Sequence, residues 1–200
     1  MRRFDIDGNF YGTAFAGGDL NCTLLTTLGC GVVFKLDPTG KETVLHRVTG
    51  KSDGAGPAGD LFMDGPCNLY GTATYGGEFG GQCGVLGEDF GCGTIFKIDT
   101  AGKFSVLHSF NNDGTEGLNP NGGLVSDPAG NLYGTTQVSG SDAIGGTIFK
   151  VSKTGKLTVL FNFDGNEDGA TPFAGVIRDS KGNLYGTTYQ GEGTVFELKP

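Results

Sequence analysis

The sequence has no tryptophan, only two methionines and two histidines, and fewer bases than acids. Without tryptophan, the bulk of any core falls to the 15 phenylalanines. With 14 Lys and Arg against 22 Asp and Glu, the net charge is -8 and the pI about 4.6. Neutralising a phosphate backbone takes clustered cations, and no basic stripe exists here, so nucleic acid is excluded as a partner. No apolar run approaches the roughly 20 residues of a membrane-spanning helix. The opening MRRFDIDGNF has two arginines but no hydrophobic stretch behind them, so it does not read as a signal peptide. No window places apolar residues at three-four spacing behind a capping residue, which removes helices from the expected fold. Catalytic signatures are missing too: there is no G-x-S-x-G elbow, no HExxH and no phosphate loop. The G-x-G stretches lead to no helix and are not dinucleotide fingerprints.

What is present is glycine, 39 residues of it, without the every-third period of collagen. The glycines stand between short apolar runs, as chain reversals do. In Gly122–Phe163 four such runs follow one another: Gly122–Asp127, Asn131–Thr136, Gly146–Ser152 and Leu157–Phe163, labelled a to d. The b run occurs four times, as NFYGT at Asn9, NLYGT at Asn68, and NLYGTT at Asn131 and Asn183. The c run also occurs four times: GVVFKLD from Gly31, GTIFKID from Gly93, GTIFKVS from Gly146 and GTVFELK from Gly193. The d run occurs three times, as TVLHRV, SVLHSF and TVLFNF. The a run has three clear copies, ending at Asp64, Asp127 and Asp179, and a partial one in RRFDID.

These runs are short and rich in Val, Ile, Phe, Tyr and Thr, which suits strands. A period of about 50 residues holding four strands marks a propeller blade. The expected fold is therefore all-β: a β-propeller of four-stranded antiparallel blades over residues 1–200, with repeats 1–50, 51–111, 112–164 and 165–200. About four blades are present, the last without its outer strand. A four-bladed disc and a fragment of a larger propeller both satisfy that count.

The links alternate in length. The a–b and c–d links are tight turns such as DPAGN, DSKGN, DPTGK and DTAGK, with Asp first and Gly at the positive-φ position. The b–c and d–a links are long and irregular. In an up-and-down sheet alternate links share an end, so every long loop is expected on one rim. Those loops hold 12 acids, Asp19, Asp53, Glu78, Glu88, Asp89, Asp113, Glu116, Asp142, Asp164, Glu167, Asp168 and Glu192, against the single base Lys51. That rim alone is near −11, and the remaining 10 acids and 13 bases leave about +3 elsewhere. Such loops are either merely solvated or form a face for a cation, a glycan or a basic protein.

Taken together, GNLYGT, GT[IV]FK, TVLHxF and DG resemble the GloVer tandem repeat, a family of bacterial repeat proteins, from about Phe4 to Lys199. The strand order is more distantly similar to NHL-type propeller repeats. The resemblance implies a β-propeller that is exported, secreted or attached to a cell surface. It supplies no catalytic residues. The chain departs from the family pattern in two cysteine-bearing loops, in its DGPCN turn and in its small repeat number.

Cys22 and Cys30 lie in the first b–c loop, and Cys83 and Cys92 in the second. The shorter third and fourth b–c loops hold none. A long loop with little core gains most from a local crosslink, so disulfides Cys22–Cys30 and Cys83–Cys92 are expected, and with them an extracellular or cell-surface, oxidising setting. The rival, a zinc site, has neither CxxC spacing nor a nearby histidine. Cys67 falls in an a–b turn at the opposite rim and is expected to be free, buried or paired to another chain. His46 and His108 share one slot in successive d strands, and the third copy has Phe161 there, so packing against the next blade is their expected role. The NLYGT tyrosines are expected to pack between blades. Asp164, Asn166 and Asp168 open a D-x-N-x-D-G phrase that fits the start of a calcium loop, but the twelfth position is Gly175 rather than glutamate. The alternative there is an Asx turn.

Two functions follow. The first is a non-enzymatic extracellular binding or scaffold module, without a cofactor, that uses the acidic rim. The alternative is a lyase- or lactonase-like enzyme with a divalent metal at the central channel, for which the a strands offer Asp60 and Arg178 but no repeated His or Glu.

Overall fold

Strands alone build the chain. The computed structural model describes residues 4–22, 28–81, 83–85, 88–113, 115–139, 145–190 and 193–199, and no helix occurs among them. The first sheet joins β1 (Phe10–Ala14), β2 (Val32–Leu36) and β3 (Glu42–Arg47), with Phe4 bridged to Phe10. The second blade follows with β4 (Ala55–Met63) and β5 (Leu69–Tyr75). A small hairpin of β6 (Gly84–Val85) and β7 (Glu88–Asp89) intervenes before β8 (Thr94–Ile98) and β9 (Phe104–Ser109), which complete the order β4-β5-β8-β9. In the third blade β10 (Leu118–Pro120) and β11 (Val125–Ser126) both pair β12 (Leu132–Val138), which continues to β13 (Gly146–Val151) and β14 (Leu157–Phe163). The fourth has β15 (Ile177–Arg178), β16 (Leu184–Thr187) and β17 (Val195–Leu198). All pairings are antiparallel and follow the a-b-c-d order, as a propeller blade requires.

Repeated residues explain the geometry. In every b strand the glycine of N-x-Y-G-T lies under the phenylalanine of the neighbouring c strand. A methyl added at Gly71 or Gly134 would stand 2.6 or 2.7 Å from Cζ of Phe96 or Phe149. The c–d pairing skips one residue at Leu45, Leu107 and Leu160, a bulge that accounts for the V-L-H/F phrase. Between blades, Val33, Ile95 and Ile148 of the c strands are at most 1% exposed. They pack with Leu61, Leu124 and Val176 of the next a strand. The core is thus a series of inter-blade layers.

The a strands begin earlier than the sequence reading placed them. Gly56, Asn119 and Thr171 hold equivalent positions with φ of 60°, 58° and 55°. Their N–H groups donate to the carbonyls of Cys30 (2.8 Å), Cys92 (3.0 Å) and Gly145 in the preceding blade. The prolines that follow, Pro57, Pro120 and Pro172, seat on Gly31, Gly93 and Gly146 of the preceding c strand, leaving no room for a Cβ there. Thr13, Thr72 and Thr135 then donate to the carbonyls of Gly59, Gly122 and Ala174, at 3.2, 3.1 and 2.9 Å. This X-Pro latch closes each of the three interfaces in the same way.

A second repeated device fixes the a–b turns. Asp5, Asp64, Asp127 and Asp179 each accept the backbone N–H and side-chain Nδ2 of the asparagine four residues on, and the hydroxyl of the tyrosine six residues on. The tyrosine hydroxyls therefore serve their own turn, while Tyr11, Tyr70 and Tyr133 still pack in the cores between blades. Burial pushes the Asp127 carboxyl up, but the bonds from Asn131 and Tyr133 outweigh it and hold it below the ordinary value. The same balance lowers Asp5 and Asp179. Burial first, and then Asp5 or Asp64, raises Tyr11 and Tyr70 to about 12. Carboxyls lowered in the fold stabilise it above their unfolded value near 3.8, and that stabilisation goes as pH falls through the folded values. Tyrosines raised in the fold contribute fully below 10.0 and lose that contribution as pH climbs to about 12. Urea midpoints are expected to be flat between about pH 5 and 9 and to fall on both sides.

Cys67 stands where the other turns carry Gly8, Gly130 and Gly182, and it has a φ of 71°. It is free and exposed. A left-handed residue with a Cβ costs about 1–2 kcal/mol, offset in part by the greater unfolded entropy of glycine. Cys67→Gly is therefore expected to stabilise the chain by about 0.5–1 kcal/mol in urea denaturation, with no other turn affected.

Candidate functional site

The irregular links meet on one rim, and the local contacts show how. Disulfides join Cys22 to Cys30 and Cys83 to Cys92, with Cα separations of 5.6 and 4.6 Å, and all four cysteines are buried. Closing loops of this length contributes about 2.5 kcal/mol each in the chain-entropy account. Cys22 Sγ lies 3.0 Å from the Thr49 carbonyl and Cys92 Sγ 3.3 Å from that of Asn111, so each stapled b–c loop rests on a d–a loop. Gly77 N–H donates to the Lys51 carbonyl at 2.7 Å, and Asn112 Nδ2 to that of Phe79 at 3.0 Å. On the opposite rim Pro38 packs beside Gly8, and Lys153 beside Gly130, bringing a–b and c–d turns together.

A repeated acid organises the d–a loops. Asp53, Glu116 and Asp168 each stand four residues before the latch proline. Each accepts a backbone N–H at the strand exit, from Thr49, Asn111 and Asp164 respectively. Asp53 also accepts from His46 at 3.0 Å, and Glu116 pairs with His108 at 2.9 Å. The histidines do pack forward as well: His46 stacks on Phe104 of the second blade at 3.7 Å, and His108 Nδ1 reaches the Gly155 carbonyl of the third at 2.9 Å. The pairing with a carboxylate was not anticipated, although the fixed acid-to-proline offset was there to be read. Burial raises Asp53, but His46 and Thr49 more than compensate and hold its carboxyl low.

In the third blade Phe161 replaces the histidine, and Asp168 lacks that partner. Burial and the adjacent Asp164 push Asp168 up, while Asp164, bonded by the Asn166 N–H, is held down. The three residues of the calcium-loop phrase are thus close together, with Asn166 engaged through its backbone in an Asx turn. Among the described residues, no group of three or more His, Cys, Asp or Glu is placed to hold a metal ion. Asp168 and Glu167 line a groove of about 220 Å³ together with Phe161, Phe163 and Phe196.

Of the remaining rim acids, Glu78, Asp89, Asp113, Asp164 and Glu167 are exposed, and among the described residues none pairs with a Lys or Arg. Asp19 accepts from Asn21, Asp89 from Gly80 N–H and Asp113 from Thr115, all local turn bonds. Asp142 and Glu192 lie outside the described residues, as does the Glu88 side chain. The two axial candidates sit apart in function. Asp60 packs against Gly123 of the following blade, whereas Arg178 folds over Gly182 in its own turn.

Comparison with known proteins fits this geometry. The profile of the Gloeobacter/Verrucomicrobia repeat matches residues 84–200. No curated protein sequence matches the chain. Among solved structures, a gluconolactonase from Xanthomonas campestris is 16% identical over 98% of this chain and 55% of its own, with a TM-score of 0.55. A luciferin-regenerating enzyme is 16% identical over 93% of this chain and 52% of its own, at a TM-score of 0.53. A putative gluconolactonase is 15% identical over 98% of this chain and 59% of its own, also at 0.53. These likenesses give the β-propeller fold, and the chain spans only 52–59% of the length of those structures.

Proposed function

The chain belongs to the Gloeobacter/Verrucomicrobia repeat family, and on that footing we propose that it is a non-enzymatic binding or scaffold module working outside the cell through its acidic long-loop rim. The observation that carries this reading is the division of charge. Exposed carboxylates such as Glu78, Asp89, Asp113 and Glu167 gather on the irregular rim, where none has a Lys or Arg partner among the described residues, and the regular strands and turns carry the bases. Disulfides close the first two b–c loops, the second of which presents Glu78 and Asp89, and this fits an oxidising compartment. The partner best matched is a basic polypeptide, drawn in by long-range attraction and held by several weak contacts. The names of the structural relatives describe those proteins; at 15–16% identity they add the fold and nothing of the substrate.

A lysine-rich peptide titrated by calorimetry tests this. Binding is expected at low salt and should weaken steeply by 0.5 M, where the screening length falls to about 4 Å. Joint charge reversal at Glu78, Asp89, Asp113 and Glu167 is expected to cost at least about tenfold in affinity, while reversal of the turn acids Asp37 and Asp99 changes little. Equal losses from the two sets would refute the assignment of the face.

A further inference from the structure

The seam between the first and second blades carries a group of aromatic rings on the irregular rim that the later seams lack. Phe15 directly follows β1 and Tyr75 ends β5, at the same rim of adjacent blades. Their rings meet edge-on, with centroids 6.4 Å apart and planes at 81°. Phe90 lies against Tyr75 as well, at 5.7 Å and 60°. At the second seam the slots of Phe15 and Tyr75 hold Thr74, buried and donating to Asn121 Oδ1 at 3.2 Å, and Val138, packed against the core. At the third they hold Gln137 and Gln190. Phe15 is 45% exposed, and Tyr75 and Phe90 are half-buried. A single exposed phenylalanine is ordinary, but three rings in contact on a charged rim form a surface of defined chemistry.

The two disulfides hold these rings in place. Tyr75 packs against Cys22, Cys30 and Val48 of the first blade. Gly76 N–H donates to the Phe90 carbonyl at 2.7 Å, and Phe90 stands two residues before Cys92. The same second loop supplies carboxylates: Glu78 is three residues beyond Tyr75, Asp89 is next to Phe90, and both are exposed. Asp89 accepts the N–H groups of Gly80 and Gly91 at 2.6 and 3.2 Å, and the Glu78 carbonyl accepts the Cys92 N–H at 2.9 Å. The face of an aromatic ring is the negative side of its quadrupole. Negative ring faces beside fixed carboxylates suit a flat, weakly hydrated guanidinium better than a compact, strongly hydrated ammonium. We propose that the Phe15, Tyr75 and Phe90 group is an arginine-binding subsite, which makes the rim prefer an arginine-rich to a lysine-rich polypeptide of equal charge. The inference rests on the reading of the rim as a face for basic polypeptides. The guanidinium stacks on an open ring face and leaves its N–H groups for the carboxylates of the second stapled loop.

Two peptides of equal length and charge, one arginine-rich and one lysine-rich, titrated by calorimetry against the chain test this. The unaltered chain is expected to bind the arginine peptide at least about threefold more tightly. Phe15→Leu combined with Phe90→Leu keeps apolar bulk but removes the ring faces, and is expected to bring the ratio to about one. Phe15→Tyr keeps the ring and is expected to retain the preference. Phe15→Leu alone, at a site already open to water, is expected to lower the ratio part of the way, and it serves if the double variant does not fold. Charge reversal at Asp113 and Glu167, in the later d–a loops, is expected to weaken both peptides and leave the ratio standing. Equal binding of the two peptides by the unaltered chain, or a preference that survives the loss of both phenylalanines, overturns the subsite and leaves the acidic rim as the proposed face. Binding of neither peptide overturns both. Displacement of the arginine peptide by maltohexaose or cellohexaose assigns the rings to a neutral glycan and refutes the proposal.

Discussion

Phe149→Ala is expected to lower the unfolding free energy by about 3–5 kcal/mol, the cost of deleting a buried aromatic and leaving a cavity. Phe149 is completely buried, meets Phe110 edge-on at 5.4 Å and covers Gly134. Nothing can move in to replace it, because the glycine beneath has no side chain and Leu124 is already packed with Ile95 of the preceding blade. The same substitution at Phe196 should cost less than half as much, since Phe196 is only partly buried against the third blade and no outer strand pairs with β17 to cover it. Urea denaturation of the two variants measures the difference. Equal losses would mean that the ring-over-glycine contact within a blade, and not the layer between blades, carries the stability.

Gly93→Ala is expected to destabilise by about 2–5 kcal/mol, combining a forbidden backbone conformation with overpacking. Gly93 has a φ of 98°, and an added methyl would stand 2.5 Å from Cδ of Pro120 and 2.8 Å from the Ala73 and Thr74 carbonyls. Backbone atoms on two sides leave no flexible group to yield. Gly193→Ala changes the same position in the fourth blade, where no proline is seated, and should cost only the backbone part, about 1–2 kcal/mol. The difference between the two isolates the contribution of the latch.

How much of this could be read from the residues differs from one feature to the next. The N-x-Y-G-T and G-T-I-F phrases announced strands, their order and the blade period, because each run recurs with its turn chemistry intact. The disulfides followed from loop length and from the shared place of Cys30 and Cys92. The first half of each a strand was missed because a proline argues against a central strand. The compensating fact, that a left-handed residue before it carries the bond to the neighbouring blade, is tertiary. The hairpin within the second stapled loop has no counterpart among the described residues of the other repeats, so comparison between copies could not reveal it. Packing of His46 and His108 was legible from Phe161 in the third copy. Their carboxylate partners were not, since Asp53 and Glu116 looked like ordinary loop acids until aligned on Pro57 and Pro120. Cys67 was legible as an oddity in DGPCN, but its left-handed backbone emerges only when the turn is laid over DPAGN.

One rim is irregular and negative, and the other is regular and near neutral. Paramagnetic relaxation by soluble nitroxides, one cationic and one anionic, reads this amide by amide. At low salt the cationic probe should broaden Glu78, Asp89, Asp113 and Glu167 several-fold more than the anionic one, and the ratio should fall to about one at Ala101 and Lys156. A ratio that is the same at both sets of residues would contradict the account.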